Sequence, residues 1–417
     1  MHYRQLGSKR KVRNCKRPNT AQNELAIDSE QTLYYNNTKP FSRSSGGDVL
    51  KKLIKLKRLW LVAFAPVALV LNLIASWKPA FAEWYATTLY PKLSLGVNTV
   101  TSYLPFSLAE IFVCLLIIGL LVYFAGSAVK VVKSKGSRAE RSLKSFLNLI
   151  CLASILYFAF TISCGINYSR YSFAQTSGLT IKPSSKAELT ALCSELAQDV
   201  NTLRKDVKTD KRSVMELSEP TIYDTAKVAQ NSYNKINADY PLLWAGYGAP
   251  KPVFGSRLMS YGNITGIFFP FTFEANINAD IPDYSIPAAM CHELSHLRGY
   301  MREDEANFIG YLVCEKSTST DFKYSGKMLA FIHASNALFD TDSTAANKIF
   351  AQLSDGVRRD LADNTTYWKQ FEGPVAQVST SVNDSYLKAN RQEDGVKSYG
   401  RMVDLLLAEY RAKKEAR

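Results

Sequence analysis

Histidine is scarce in this chain: 417 residues contain four, His2, His292, His296 and His333. The seven cysteines, Cys15, Cys114, Cys151, Cys164, Cys193, Cys291 and Cys314, form no CxxC pair. That is no disulfide framework, and it leaves room for one bridge among Cys193, Cys291 and Cys314. Charge is missing from three long runs. Residues 59–77 (LWLVAFAPVALVLNLIASW) and 146–166 (FLNLICLASILYFAFTISCGI) have none, and 108–129 (LAEIFVCLLIIGLLVYFAGSAV) has only Glu110. Each is long enough to cross a hydrocarbon core of about 30 Å as a helix. Three such runs so close together argue against buried helices of a soluble domain. The first begins too deep in the chain for a cleaved leader. The near-absence of ionisable groups within the runs speaks against an ion pathway, and so against a transporter subunit.

What charge there is sits beside these runs. Residues 1–58 hold 14 Lys and Arg against 4 Asp and Glu, and 130–145 hold six basic residues and one acid, whereas 78–107 hold only Lys78, Lys92 and Glu83. The positive-inside bias places the N-terminus and the 130–145 loop in the cytoplasm, and residues 167–417 outside a bacterial plasma membrane. The two basic segments account for the whole net charge of +14. A basic chain ordinarily raises nucleic-acid binding. Here the cations are juxtamembrane, where they orient spans and meet anionic lipid, and no nucleic acid is expected. Residues 1–58, polar and basic, read as a disordered cytoplasmic tail. No 20–50-residue repeat is present.

Beyond the spans, SSKAELTALCSELAQDVNTLRK (184–205) has helical spacing, with Ser185 and Glu188 in a capping-box pattern. A second helix is expected over 222–238. The stretch 240–283 is rich in aromatic and β-branched residues and broken by Gly and Pro, as short strands and turns are, and Pro270 argues for an edge or a bulge. DYSIPAAMCHELSHLRG then reads as a helix, with Asp283 or Ser285 to cap it, Pro287 in its first turn and Gly299 at its end. The remainder looks helical. The expected architecture is a membrane-anchored α+β chain: three transmembrane helices, then a mainly helical domain over 167–417 with a small β element before the key helix.

Two of the four histidines fall in CHELSHLRGYMREDEANF (291–308). Four residues apart on a helix, His292 and His296 share one face and can hold one zinc ion, and Glu293 projects beside it as a base for a water molecule the metal activates. A catalytic zinc wants a third ligand from the protein. Glu303, Asp304 and Glu305 are the candidates, and Gly299 can turn the chain back to deliver one. Glu303 is favoured, because it shares a helix face with Asn307, which can hydrogen-bond a ligand histidine, while Glu305 points about 200° away. Cys291 points about 100° from His292 and reads as a structural thiol. His333, in AFIHASNALF, reads as a packed core residue.

The run from GIFFPFTFEANINADIPDYSIPAAMCHELSHL through REDEANFIGYLVCE resembles a bacterial membrane family of uncharacterised zincin-like proteins, classed as a domain of unknown function. GINYSRYSF after the third run and NDSYLKANRQEDGVKSYGRMVDLLL near the end are similar to that family too. The resemblance covers the chain beyond about residue 55 and implies a zincin metallopeptidase fold. It implies His292 and His296 as zinc ligands, Glu293 as the catalytic glutamate, and Glu303 with Asn307 as a following ExxxD/N signature. The chain departs from most gluzincins in the short spacing between His296 and Glu303. It departs from metzincins in having Arg302 where their third histidine would fall.

The expected function is that of a membrane-anchored zinc metalloendopeptidase cleaving a peptide or protein substrate outside the membrane. The tetrahedral intermediate needs a donor for its negative charge, and Tyr399, Tyr386, Arg401 and Arg298 are the candidates. The segment Gly266–Asn276 offers an edge to an extended peptide, unless its aromatics only line the core. The rival reading is a zinc-containing extracellular binding or sensing module without turnover.

Overall fold

The computed structural model describes residues 57–134, 136–390, 392 and 401–415, and the basic tail expected over 1–58 lies almost wholly outside them. The described chain is mostly helical. Three helices carry the apolar runs: Leu59–Trp77, Leu108–Lys133 and Arg138–Ser163. The third starts at Arg138 rather than at 146, because the basic stretch before the apolar run is itself helix-forming and adds a Glu140–Lys144 pair one turn apart at 2.6 Å. Large apolar side chains on all three, among them Val70, Leu121, Val122 and Ile155, are exposed. In water such a surface would be an aggregation liability, and in lipid it is the face a spanning helix must present. This is a membrane protein.

Polar groups tie the spans to one another. Ser154 Oγ accepts from the Ala65 N–H at 2.8 Å and donates to the Val62 carbonyl at 3.0 Å. Asn72 donates to Thr161 Oγ1 at 3.0 Å.

The stretch between the first two spans, 78–107, is largely helix: Pro79–Trp84, a π-helical turn Tyr85–Leu89, and Tyr90–Ser102. It folds this way because Tyr85, Tyr90, Ser94, Asn98 and Thr101 recur at helical spacing and are buried against the polar domain. Asn98 donates to the Phe273 carbonyl at 2.7 Å and accepts from the Gly248 N–H at 2.7 Å.

In the domain that follows, the helix Lys186–Leu203 opens on Ser185 with the complete capping box to Glu188. A small sheet has the order β1-β3-β2, with β1 Lys251–Pro252 parallel to β3 Glu274–Ile277, and β2 Gly266–Phe269 antiparallel to it. Pro270 falls in the turn between β2 and β3, where its missing N–H removes nothing from the ladder. The helix Ile286–Leu297 packs on the sheet, and Ile222–Ile236, Glu303–Lys316 and Thr320–Thr341 pack around that helix, in one core that buries Leu294, Phe308, Phe322 and Phe331.

Candidate metal centre

The helix Ile286–Leu297 carries the histidine pair. Pro287 stands in its first turn as expected. Neither proposed cap residue caps it through its side chain: Asp283 accepts instead from the Leu217 N–H at 3.0 Å, and Ser285 turns back to the Pro282 carbonyl at 2.9 Å. A 3-10 turn, Asp283–Ser285, supplies the entry. At the other end Gly299 has φ +86°, the left-handed conformation that glycine tolerates. Its N–H bonds to the His296 carbonyl at 2.9 Å, and the Tyr300 N–H bonds to the Ser295 carbonyl at 3.2 Å, which makes a Schellman turn. The chain reverses there, and the helix Glu303–Lys316 returns alongside the first.

This reversal brings Glu303 to the histidines. His292 Nε2 and His296 Nε2 lie 2.9 Å apart, and Glu303 Oε2 is 3.2 Å from the first and 3.6 Å from the second. The outer nitrogens are engaged elsewhere, His292 Nδ1 with Asn307 Oδ1 at 2.8 Å and His296 Nδ1 with the Tyr300 carbonyl at 2.8 Å. Each Nδ1 then carries the proton, and each Nε2 presents a lone pair to the other and to a carboxylate. Three acceptors pointed at one spot repel one another unless a proton or a metal cation lies between them. A zinc with bonds of about 2.05 Å and tetrahedral angles would hold its ligand atoms about 3.3 Å apart, which the three separations bracket. Nitrogen and oxygen donors in this number are what a catalytic zinc takes, so the residues fit the metal.

Glu293 stands beside the cluster, buried, and its Oε2 has no hydrogen-bond partner. Burial pushes its carboxyl above the usual carboxylate range, against the pull of both histidines. Burial also works against a charged His296, yet Glu303 outweighs it and lifts that imidazole to about 9. Burial raises Glu303 as well, but His296 and His292 win and hold it low. The two other acids are sorted away from the cluster. Asp304 pairs with Arg302 at 3.0 Å, and Glu305 accepts from the Phe173 N–H at 2.9 Å, its carboxyl pushed up to about 7 by burial.

The candidate donors fare differently. Arg298 is buried and committed: its guanidinium donates to the Trp244 and Leu294 carbonyls, at 2.8 and 2.9 Å, and lies 3.7 Å from the Tyr233 ring centre. It clamps the helix end instead of facing the cluster. Arg401 is exposed, and its charge acts on Asp404. Tyr399 lies outside the described residues. Tyr386 feels the charge of Glu303, and its hydroxyl is 3.0 Å from that of Tyr168. Cys291 is buried close to Cys314, and the described cysteines are all free. His333 is partly buried, its pKa depressed to about 4 by desolvation.

Several neighbours escaped the sequence. Tyr168, which also feels Glu303, sits in GINYSRYSF with no signal beyond its place after the span. Gln392 accepts from the Glu303 N–H at 3.2 Å. Gly266 was legible in part, since a glycine inside a strand pattern marks a close approach. A Cβ there would stand 2.6 Å from Glu293 Cγ and 2.7 Å from Oε1. The Phe268 N–H of the same strand is close enough to pull the Glu293 carboxyl down against the larger effect of burial.

A helical membrane protein with a buried His/Glu cluster beside an incompletely satisfied carboxyl is the class these features define. The chain belongs to the family described as protein of unknown function (DUF3810), whose sequence model matches residues 85–407. The match begins in the helical stretch between the first two spans and takes in every candidate residue. No curated protein and no solved structure matches the chain.

Proposed function

We propose that the chain is a membrane-anchored zinc peptidase of zincin type, hydrolysing peptide bonds outside the membrane. The observation that carries this reading is the convergence of His292 Nε2, His296 Nε2 and Glu303 Oε2 beside Glu293, one of whose oxygens has no partner. Zinc bound there would supply Lewis acidity, acidifying a water and polarising a carbonyl. Glu293, its proton affinity raised by burial, is the residue that would take a proton from the attacking water and pass it to the leaving amine. Asn307 and the Tyr300 carbonyl fix the two imidazoles in the tautomer that leaves both Nε2 atoms free to bind. Among the described residues, the Tyr386 and Tyr168 hydroxyls, within reach of the Glu303 charge, are the best placed donors for the oxyanion.

The strand β2 is an edge of the sheet, its Ile267 side chain is exposed, and its Gly266 and Phe268 flank Glu293. An extended peptide laid along it would pass beside the cluster. The excess of lysine and arginine in 1–58 and 130–145 supports an extracytoplasmic position for this domain.

Metal analysis of the purified full chain, coupled to cleavage of a peptide library, tests the reading. One zinc per chain and cleavage are expected, both lost in His296→Ala. A protein that retains no zinc from zinc-supplemented medium would refute it. A Glu293→Gln variant that complements a deletion as well as the wild type would favour the binding module without turnover.

A further inference from the structure

The helix Pro374–Ala389 has an apolar face that its own domain leaves uncovered. Val375, Val378 and Val382 are 61%, 63% and 63% exposed. Spacings of three and four put them on one stripe. The adjoining side of the helix is docked: Leu387 is buried, and Ser379 Oγ donates to the Gly262 carbonyl at 2.6 Å. Single exposed valines are ordinary, but an aligned row on one helix asks for a partner.

The row does not end in water. Tyr386, one further turn along the same stripe, packs edge-on against Phe160 of the third span at 6.2 Å between ring centres. The stripe is thus continuous with the surface of a membrane-crossing helix.

A second patch lies across Gly262. Phe254 is fully exposed and Leu258 is 76% exposed, on and just before the short helix Ser256–Tyr261. The Phe254 and Gly255 N–H groups donate to the Glu110 carboxylate at 2.9 and 2.8 Å. The level of Glu110 can be fixed. Between it and Lys130 the second span has the uncharged run 111–129, which rises about 28 Å at 1.5 Å per residue and so fills nearly all of a core about 30 Å thick. Glu110 therefore stands at the hydrocarbon boundary, and Phe254 stands beside it. Trp77 and Trp84, both exposed, flank the end of the first span on the same side, as an interfacial aromatic belt does.

We propose that Val375, Val378 and Val382, together with Phe254 and Leu258, are immersed in the acyl-chain boundary of the bilayer, so that the domain rests on lipid through an interfacial helix and a wedge in addition to its three spans. The occupant is lipid rather than a second copy, because both patches join spanning helices, one through Tyr386 and Phe160 and the other through Glu110. The only charged residues of the helix, Asp384 and Lys388, pair with each other at 2.7 Å and stand off the stripe. Amphipathic helices lie in the headgroup and acyl boundary in this way. The seating also sets the candidate site next to the membrane. Tyr386 ends the stripe, and Phe269, at the end of β2, packs on Phe112 of the second span at 5.6 Å between ring centres.

The test places a benzophenone amino acid, one position at a time, at Val378, Val382 and Phe254 of the full chain, with Gln377 on the exposed polar side as reference and Leu121 in the second span as positive control. All but the control are exposed outside the spans, so the substitutions leave the packing intact. After irradiation in phosphatidylglycerol–phosphatidylethanolamine proteoliposomes, mass spectrometry should find lipid adducts at Val378, Val382 and Phe254 several-fold above Gln377. Crosslinks to a second copy at Val378 or Val382, or lipid adducts at Leu121 with none at these two valines, would overturn the proposal. Labelling at Phe254 alone would overturn it as well.

Discussion

Asp360 and Glu303 are both carboxylates shut away from solvent, yet their surroundings are opposite in kind. Asp360 accepts from Arg204 Nε and Nη2 at 2.6 and 3.2 Å, from the Tyr324 hydroxyl at 2.6 Å and from the Met215 N–H at 2.9 Å. Its donors all come from the chain itself, so the charge is neutralised where it stands. Glu274 is similar, taking Lys251, Thr272 and the Ala109 N–H at the head of the second span. Glu303 instead faces two imidazole nitrogens whose protons are on the far side of each ring. A network that serves the fold closes on itself, since an unmatched buried charge is costly. A cluster that leaves lone pairs facing one another is closed only when a proton or a metal cation stands between them. Glu293, with an oxygen left unpartnered beside that cluster, belongs to the second kind.

The contrast can be broken from either side. Glu293→Gln should have the largest effect: turnover on a library-derived peptide falls about 10²–10⁴-fold, while zinc content measured on the same sample stays at the wild-type level. Asp360→Ala strands the Arg204 guanidinium and should cost about 3–5 kcal/mol of stability in thermal melts, with zinc retained in the fraction that folds. A chelator should act on the other cluster alone. If zinc is present at 100–1,000 times its Kd, stripping it lowers stability by about 2.7–4.1 kcal/mol, seen as a drop in Tm that readded zinc reverses. His296→Ala should melt at the stripped temperature, and the chelator should not shift it further. A chelator that moves His296→Ala as far as the wild type would mean that the metal sits elsewhere.

The sequence announced the spans and the histidine pair because both are local patterns: apolar runs of membrane length, and histidines one helical turn apart. That Glu303, of three consecutive acids, would face the histidines was also readable, since helix geometry fixes which of them shares a face with Asn307. What was not readable depends on contacts between distant segments. Residues 78–107 are too polar to stand out, and their helix is explained by Tyr90, buried with its hydroxyl donating to the Leu297 carbonyl at 3.2 Å. Arg298 looked like a free cation next to a metal motif, whereas its partners, Trp244 and Tyr233, come from over fifty residues upstream. Tyr168 and Tyr386 meet near Glu303 only through the fold. The stripe on Pro374–Ala389 is weakly apolar in sequence and gains meaning from the span that Tyr386 touches.

The smallest effect expected is also the most discriminating. Asn307 touches the cluster through one bond, Oδ1 to His292 Nδ1 at 2.8 Å, and it lies one turn beyond Glu303 on the same helix. Asn307→Ala removes the acceptor that keeps the His292 proton on Nδ1, so the ring is free to rotate or to place its proton on Nε2. Zinc affinity should then fall about 10–100-fold, the usual cost of deleting a residue that orients a ligand histidine. The helix should survive, because alanine is a good helix former. Tyr324→Phe is the matched change in the closed network, removing one of several donors to Asp360. It should lower Tm and leave zinc affinity, read by competition with a chromogenic chelator, unchanged. Equal zinc affinity in both variants would remove the distinction between a cluster built for the fold and one built for a metal.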